Sequence, residues 1–280
     1  MKKQDIKSVL TIVIISFKSS KKVEKILNKF DKFVQIIVIE NSYEQYLKKI
    51  IKNKYKNTKL YYCKNIGYGR AINYASKFVN TKYFYALSPD LIFNINCLRK
   101  LVSAAEKLNG YFGVISPKNN YYSYLKKRLN IVKAIHGSGM FFSRKIFLKI
   151  GGFDDKIFLF YEDTDYCLRA YKLGYKLYII GNAYAFHEGG NSLSGQSNKV
   201  VSNASNLKDW HGQWSKYYFE KKHYGKFNAI LKVIPKLVRL PFQLVLSLFY
   251  SHKKSSKYYY QLYGLICSIV GKNSFLRPLR

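Results

Sequence analysis

Three carboxylates stand within four positions in Glu162-Asp163-Thr164-Asp165, and Arg169 follows four places after the last, in a chain of 280 residues with fifteen Asp and Glu against forty-nine Lys and Arg. Acid this scarce and this concentrated points to a task. If the segment opens a helix, Glu162 and Asp163 fall in its first turn, where negative charge suits the positive end of the helix dipole. Asp165 and Arg169 then share a face and pair. Asp163 is less well explained by packing. It follows the glycine-rich Gly151-Gly152-Phe153-Asp154-Asp155, and a carboxylate so placed can act as general base toward a substrate hydroxyl.

The elements that must position these groups are legible from periodicity. Leu10 to Phe17 is a short β-branched run of the kind found in a strand buried on both faces. Val23, Ile26, Leu27 and Phe30 recur at helical spacing among lysines, which predicts an amphipathic helix. Strands are expected at 35–40, 58–63 and 83–87, with helices at 43–52 and 70–78 between them. Strands alternating with helices at this spacing imply βαβ units around a mostly parallel sheet, an α/β fold. Ligands of such sheets bind outside the carboxyl ends of the strands. Ser16, Glu40-Asn41, Asn65 to Arg70 and Asp90 are therefore expected to converge on one cleft.

The second half is less regular. Helices are expected at 96–108, 144–150 and 162–173, and strands at 113–116 and 176–180. Residues 131–142 read as one extended segment broken by His136-Gly137-Ser138-Gly139, and His187-Glu188-Gly189-Gly190-Asn191-Ser192 as a polar loop.

The formal charge of +34 implies anionic partners: nucleic acid, an acidic membrane surface or phosphorylated small molecules. A hydrophobic content of 48 % excludes wholesale disorder. Cys63, Cys97, Cys167 and Cys267 are too dispersed for a metal-ligand pattern and read as thiols in a reducing compartment. The basic start followed by a strand-like run argues against a secretory signal. From Trp210 to Arg280 there are thirteen Lys or Arg and one acid, Glu220. The apolar runs there fall short of the roughly twenty residues a spanning helix needs. Basic residues alternating with Leu, Phe and Tyr instead suggest helices lying in a membrane interface, the competing arrangement being a helical pair packed on the core.

Taken in order, several pieces resemble an inverting glycosyltransferase of family 2 with the nucleotide-diphospho-sugar-binding GT-A fold, nearest to rhamnosyltransferase-like enzymes of bacterial cell-surface polysaccharide synthesis. They are the opening strand, Ile39-Glu40-Asn41-Ser42, Asn65-Ile66-Gly67-Tyr68-Gly69-Arg70-Ala71-Ile72-Asn73, Leu87-Ser88-Pro89-Asp90, Gly137-Ser138-Gly139-Met140, Gly151-Gly152-Phe153-Asp154, Tyr161 to Asp165 and His187 to Ser192. The resemblance covers about residues 9 to 225. It implies a GT-A domain over 1–209, and 210–280 is then a basic, aromatic-rich helical appendage read as membrane-interfacial.

The resemblance also implies roles. Glu40 would accept hydrogen bonds from the nucleoside, standing where similar enzymes carry Asp, and Ser16 and Asn41 would line the donor site beside it. Gly67 and Gly69 would allow tight turns near phosphate, Arg70 would compensate diphosphate charge, and Asn73 would bond the donor or a loop. The third position of a G-x-G-x-x-G pattern is Ile72, so a dinucleotide site is not indicated. Ser88-Pro89-Asp90 matches the Asp-x-Asp element that holds a divalent cation, with Ser88 in place of the first acid. Mg2+ or Mn2+ would then lean on Asp90, His187, donor phosphates and water. Asp163 would be the base, and Glu162 would hold acceptor or local structure. The partners implied are a UDP- or dTDP-sugar and a glycan or polyprenyl-diphosphate-linked acceptor, at the cytoplasmic face of the plasma membrane through peripheral contact. Rival readings are a GT-A scaffold that has lost activity, favoured by Ser88, and a nucleic-acid-binding protein, disfavoured because the basic residues are dispersed and no nucleic-acid module is found.

Overall fold

In the computed structural model, which describes residues 6–189 and 197–278, the first half alternates as the sequence predicts. A short helix α1 (Ile6–Val9) precedes β1 (Leu10–Ser16), α2 (Ser20–Phe30), β2 (Gln35–Glu40), α3 (Gln45–Lys54), β3 (Thr58–Tyr62), α4 (Tyr68–Ser76) and β4 (Tyr83–Leu87). Next come β5 (Leu91–Phe93), α5 (Ile95–Lys107), β6 (Val114–Lys118), β7 (Leu129–Val132), β8 (Gly139–Ser143), α6 (Arg144–Ile150), α7 (Glu162–Lys172) and β9 (Leu177–His187). Three long helices close the described chain: α8 (Asn198–Tyr224), α9 (Lys226–Leu248) and α10 (His252–Ile269).

The chain divides into two compact units. Among the described residues, the first holds 6–153 and 163–189 and the second 154–162 and 197–278. Residue 210, where the composition shifts, lies inside α8.

The first unit is built on one sheet of order β3-β2-β1-β4-β8-β6-β9-β5, with β7 added on β9. Its strands β3, β2, β1 and β4 are all parallel, and every residue of β1 and β4 is buried. Two-residue periodicity splits these strands between two cores. Leu10, Ile12 and Ile14 join Val23, Leu27 and Phe30 of α2 and Leu98 and Leu101 of α5 on one face. Val13 and Ile15 join Ala71 and Ile72 of α4, Phe147 of α6 and Tyr166 of α7 on the other. Burying each such side chain contributes about 1.5–3 kcal/mol, and Leu27→Ala would cost about 2–5 kcal/mol by opening a cavity.

Helix starts are secured by side chains from nearby turns. Glu44 accepts from the Ser20 backbone N–H (3.3 Å) and hydroxyl at the start of α2, where a carboxylate also suits the dipole. Asn94 caps α5 through the Cys97 N–H at 2.9 Å.

Beyond β4 the sheet becomes mixed. The extended segment expected over 131–142 is two strands, β7 and β8, separated by residues 133–138. Strand β8 runs antiparallel to β4, with Leu87 opposite Gly139. Strand β9 does not stop at Ile180, because Gly181 continues pairing through its N–H to Arg128 O at 2.9 Å. Antiparallel β5 then sets Leu91 opposite His187. Of the polar loop expected from His187, residues 190–192 lie outside the described residues.

Candidate active site

The parallel strands deliver one cluster at their carboxyl ends. Ser16 lies opposite Glu40 in register, and the Asn41 N–H donates to Ser16 O at 2.8 Å. Glu40 is fully buried, and its Oε1 accepts from the Ser42 backbone N–H (2.6 Å) and hydroxyl. Its Oε2 makes no hydrogen bond. Burial raises the Glu40 pKa, more than the hydroxyls of Ser16 and Ser42 lower it. Asn41 Oδ1 accepts from the Cys63 thiol at 2.8 Å, which is one of four unpaired cysteines. Beside this cluster Tyr43 stacks on Tyr62 at 5.9 Å.

Gly67 leads into α4 with φ 96°, a conformation that glycine adopts without strain. Gly69 is buried in the first turn of that helix, and Arg70 is half-buried beside it. Between them, Tyr68 donates its hydroxyl to Gly137 O at 2.9 Å. Asn73, expected to reach either the donor or a loop, reaches the loop. Its amide donates to Phe153 O (2.9 Å) and accepts from the Phe153 N–H (2.8 Å). Gly152 is required there, because its φ is +64° and a Cβ would fall 2.6 Å from Asn73 Oδ1.

A second cluster forms at the same sheet edge. Asp90 is buried, accepts from the Ser88 hydroxyl, and lies 3.2 Å from His187 Nε2. Burial opposes its ionisation, but the His187 and Ser88 hydrogen bonds outweigh this and hold the carboxyl below its ordinary pKa. His187 Nδ1 sits 3.0 Å from Tyr121 OH, and Asn120 brackets the His187 backbone from both sides. A cavity of about 410 Å³ opens next to Asp90, with Lys22, Lys25 and Lys29 of α2 in its wall. Lys22 pairs with Glu188 at 2.6 Å.

Residues 136–138 join this cluster to Asp163. The Gly137 N–H donates to Asp163 Oδ2 at 2.8 Å, and the Thr164 N–H donates to Oδ1 at 2.7 Å. One residue on, Ser138 O accepts from the Ser88 N–H at 3.0 Å. Asp163 stays partly exposed, while Glu162 and Asp165 are buried. Phe160 and Tyr161, just ahead, both have left-handed φ near 65° (64° and 67°), a strained conformation for such side chains that clusters at functional sites. Asp165 pairs with Arg169 Nε at 2.8 Å, as the spacing predicts, and Arg169 also holds Ile150 O and Gly152 O.

His136 is a residue whose placement sequence reasoning missed. Its ring stacks on Tyr121 at 4.5 Å and lies 5.6 Å from the His187 ring. Its Nδ1 accepts from the Ser138 N–H at 3.2 Å, which puts the proton of the neutral ring on Nε2. Burial lowers its pKa, against the pull of Asp163 and Asp90. The available signal was the polar His-Gly-Ser-Gly just before a buried strand. Because β8 is antiparallel to β4, the residues leading into β8 sit beside those leaving β4.

The profile described as Glycosyl transferase family 2 matches residues 11–167, more than half of the chain. That described as Glycosyl transferase family group 2 matches residues 103–277. The chain belongs to glycosyl transferase family 2. A curated relative, the low-salt glycan biosynthesis hexosyltransferase Agl10 of Haloferax volcanii, is 22 % identical over 58 % of this chain and 61 % of the relative. The chain thus spans about three fifths of that relative's length. Among solved structures, GalNAc-T7 with UDP, GalNAc and Mn2+ superimposes with a TM-score of 0.56 at 12 % identity, over 78 % of this chain and 52 % of that one. S. aureus TarS 1-349 gives a TM-score of 0.52 at 11 % identity, over 94 % and 92 %. These likenesses establish the fold, a GT-A fold with a mixed central sheet flanked by helices.

Within this family member, a divalent cation would find two protein ligands at the sheet edge, Asp90 and His187. Among the described residues no group of three His, Cys, Asp or Glu side chains is assembled to hold a metal. Two protein ligands suffice for Mg2+ or Mn2+ when phosphate oxygens and water fill the remaining positions. Tyr121 suits this: with its hydroxyl accepting from His187 Nδ1–H, the neutral ring presents the Nε2 lone pair as a ligand.

Proposed function

We propose that this chain transfers a sugar from a nucleotide-diphospho-sugar to a hydroxyl of a glycan or lipid-linked acceptor, with inversion, in cell-surface polysaccharide synthesis. The observation that carries the reading is the bridge at Gly137-Ser138, which ties the partly exposed Asp163 carboxylate to the Ser88–Asp90–His187 cluster. An inverting displacement needs a base on one side of the anomeric carbon and charge compensation for the leaving diphosphate on the other.

In this reading Asp163 takes the proton from the acceptor hydroxyl, and the hydrogen bonds from Gly137 and Thr164 fix its orientation. Glu162 supports it from the preceding position. Ser16, Glu40 and Asn41 hold the nucleoside, and Gly67, Gly69 and Arg70 face the diphosphate, with Ser88 and Asp90 beyond them. A cation on Asp90 and His187 would neutralise charge developing on the leaving oxygen. His136 offers a neutral Nε2–H next to that position. The donor is a UDP- or dTDP-sugar, with dTDP-rhamnose among the candidates. The acceptor is a glycan or a polyprenyl-diphosphate-linked sugar. The same reading sets the enzyme at the inner face of the plasma membrane through peripheral contact, and it assigns no nucleic acid.

The test is Asp163→Asn, assayed for transfer and for thermal stabilisation by a panel of UDP-, dTDP- and GDP-sugars with manganese. Transfer should fall by about a thousandfold or more while the stabilising donor stays the same. Transfer at the parental rate would reject the assignment.

A further inference from the structure

The second unit carries a surface that its own packing leaves uncovered. Helix α9 spans 23 residues, about 35 Å at 1.5 Å per residue. One side of it is satisfied: Ala229, Val233, Leu240 and Ser247 are buried, and the first two join Tyr217 of α8 and Leu265 of α10 in a small core. The opposite side is not. Phe227, Leu231, Ile234, Val238, Phe242 and Val245 recur three or four apart, which aligns them on one face, and all six are exposed. Phe227 is 75 % and Val238 72 % exposed, and Phe249, continuing the row just past the helix, is 84 % exposed. Single exposed apolar residues are ordinary, but a continuous row running the length of a helix marks a surface with a partner.

Charge identifies the partner. Residues 221–280 carry twelve Lys or Arg and no Asp or Glu. Lys232 and Arg239 interrupt the apolar row's flank on α9, both exposed, and Lys232 also reaches Glu220 of α8 at 2.7 Å. A second copy of the chain would bring like flanks together, each on a protein of net charge +34. A bilayer with anionic lipids offers an apolar phase and negative charge in the same place. No described helix is long and apolar enough to cross a membrane, and Pro235 and Pro241 stand inside α9. The geometry therefore suits a helix lying in the interface, not one passing through it.

We infer that the outward face of α9 docks in the plane of an anionic bilayer, with Phe227 to Phe249 at the boundary of headgroups and acyl chains and with Lys232 and Arg239 among the headgroups. This rests on the peripheral-membrane part of the reading above and gives it a surface, an orientation and a lipid class.

The experiment is flotation of the full chain with vesicles of neutral phosphatidylcholine and with vesicles that also hold about 30 mol % phosphatidylglycerol. Wild-type protein should float with the anionic vesicles and much less with the neutral ones. The double variant Val238→Glu, Phe242→Glu should lose roughly tenfold or more of that binding, since it removes apolar burial and adds repulsion. Lys232→Gln with Arg239→Gln should erase the preference for anionic vesicles. Tyr124→Glu, an exposed aromatic of the first unit, should bind as wild type does. Equal flotation of the Val238, Phe242 variant and wild type would overturn the inference, as would absence of wild-type binding to either vesicle. So would a sedimentation-detected dimer that this variant dissolves, since a second copy would then cover the face. Donor-induced thermal stabilisation, measured on the same double variant, separates the two readings. If donors stabilise it and vesicles bind neither form, only the membrane inference falls; if vesicles behave as expected and no nucleotide-sugar stabilises any form, the transferase reading falls alone.

Discussion

The Gly137 backbone N–H points at Asp163 Oδ2 from 2.8 Å, so a residue with no side chain orients the carboxylate proposed as the base. A Cβ added at Gly137 would lie 3.2 Å from that oxygen, tighter than ordinary packing. Gly137→Ala should therefore push the carboxylate a few tenths of an ångström off the line on which it takes the acceptor's proton. A misplacement of about 1 Å costs about a hundredfold, so a shift of this size should cost about tenfold in rate. The expected result is a lower kcat with the donor-induced thermal shift intact. An unchanged kcat would mean that Asp163 is not held by this contact.

Asp165 should behave in the opposite way to Asp163. It is fully buried and paired with Arg169, which in turn holds the carbonyls of Ile150 and Gly152. Removing one member of such a pair strands the other charge, at a cost of about 3 kcal/mol. Asp165→Ala should lower the unfolding free energy from urea titration by that amount, whereas Asp163→Asn should stay within about 1 kcal/mol of wild type. Equal destabilisation by the two would mean that both acids are structural.

Chelation tests the cation site proposed at Asp90 and His187. Transfer should be lost in EDTA and restored by manganese. Asp90→Ala should abolish restoration, because it removes the only carboxylate of the pair. His187→Ala should leave a weaker response that needs about tenfold more metal or worse. Activity indifferent to chelation would move charge compensation to Arg70 and the lysines of α2.

His211 gives the second unit an acid-sensitive element. Its Nε2–H donates to Leu276 O at 2.9 Å, and its Nδ1 faces the Ser274 hydroxyl at 3.2 Å. Burial pushes its pKa down from 6.5 to about 4. Above pH 6.5 the ring is neutral folded or unfolded, and it contributes no pH dependence. As pH falls from 6.5 toward 4, only the unfolded chain takes the proton, so stability drops by about 3 kcal/mol over that window. His211→Gln should flatten this limb of a plot of thermal midpoint against pH. An identical limb in the variant would assign the acid sensitivity to other groups.

Much of the first half of the chain was legible in the residues themselves. The apolar runs at 10–16, 35–40 and 83–87 and the helical periodicity of Val23, Ile26, Leu27 and Phe30 are local signals, and they give β1, β2, β4 and α2 because burial on a two-residue or 3.6-residue period admits one register. Parallel order then carried Ser16, Glu40 and Asn41 to one edge. The i, i+4 spacing alone was enough to pair Asp165 with Arg169.

Other placements depended on strand direction, which no local pattern encodes. Strand β5 has only three residues, and β8 differs from a parallel strand in orientation and not in composition. Their antiparallel pairing brings His136, Gly137 and Ser138 to the end of β4 and sets His187 beside Asp90. Likewise, lysines and aromatics after residue 210 announce amphipathic helices, but only packing separates the side of α9 that faces α8 and α10 from the side left bare. Residue types and their spacing pointed to the family, the parallel strands of the first half and the acids worth watching. Long-range pairing, whose free energy comes from contacts between segments far apart in the chain, decided which of those acids meet and which surface stays open.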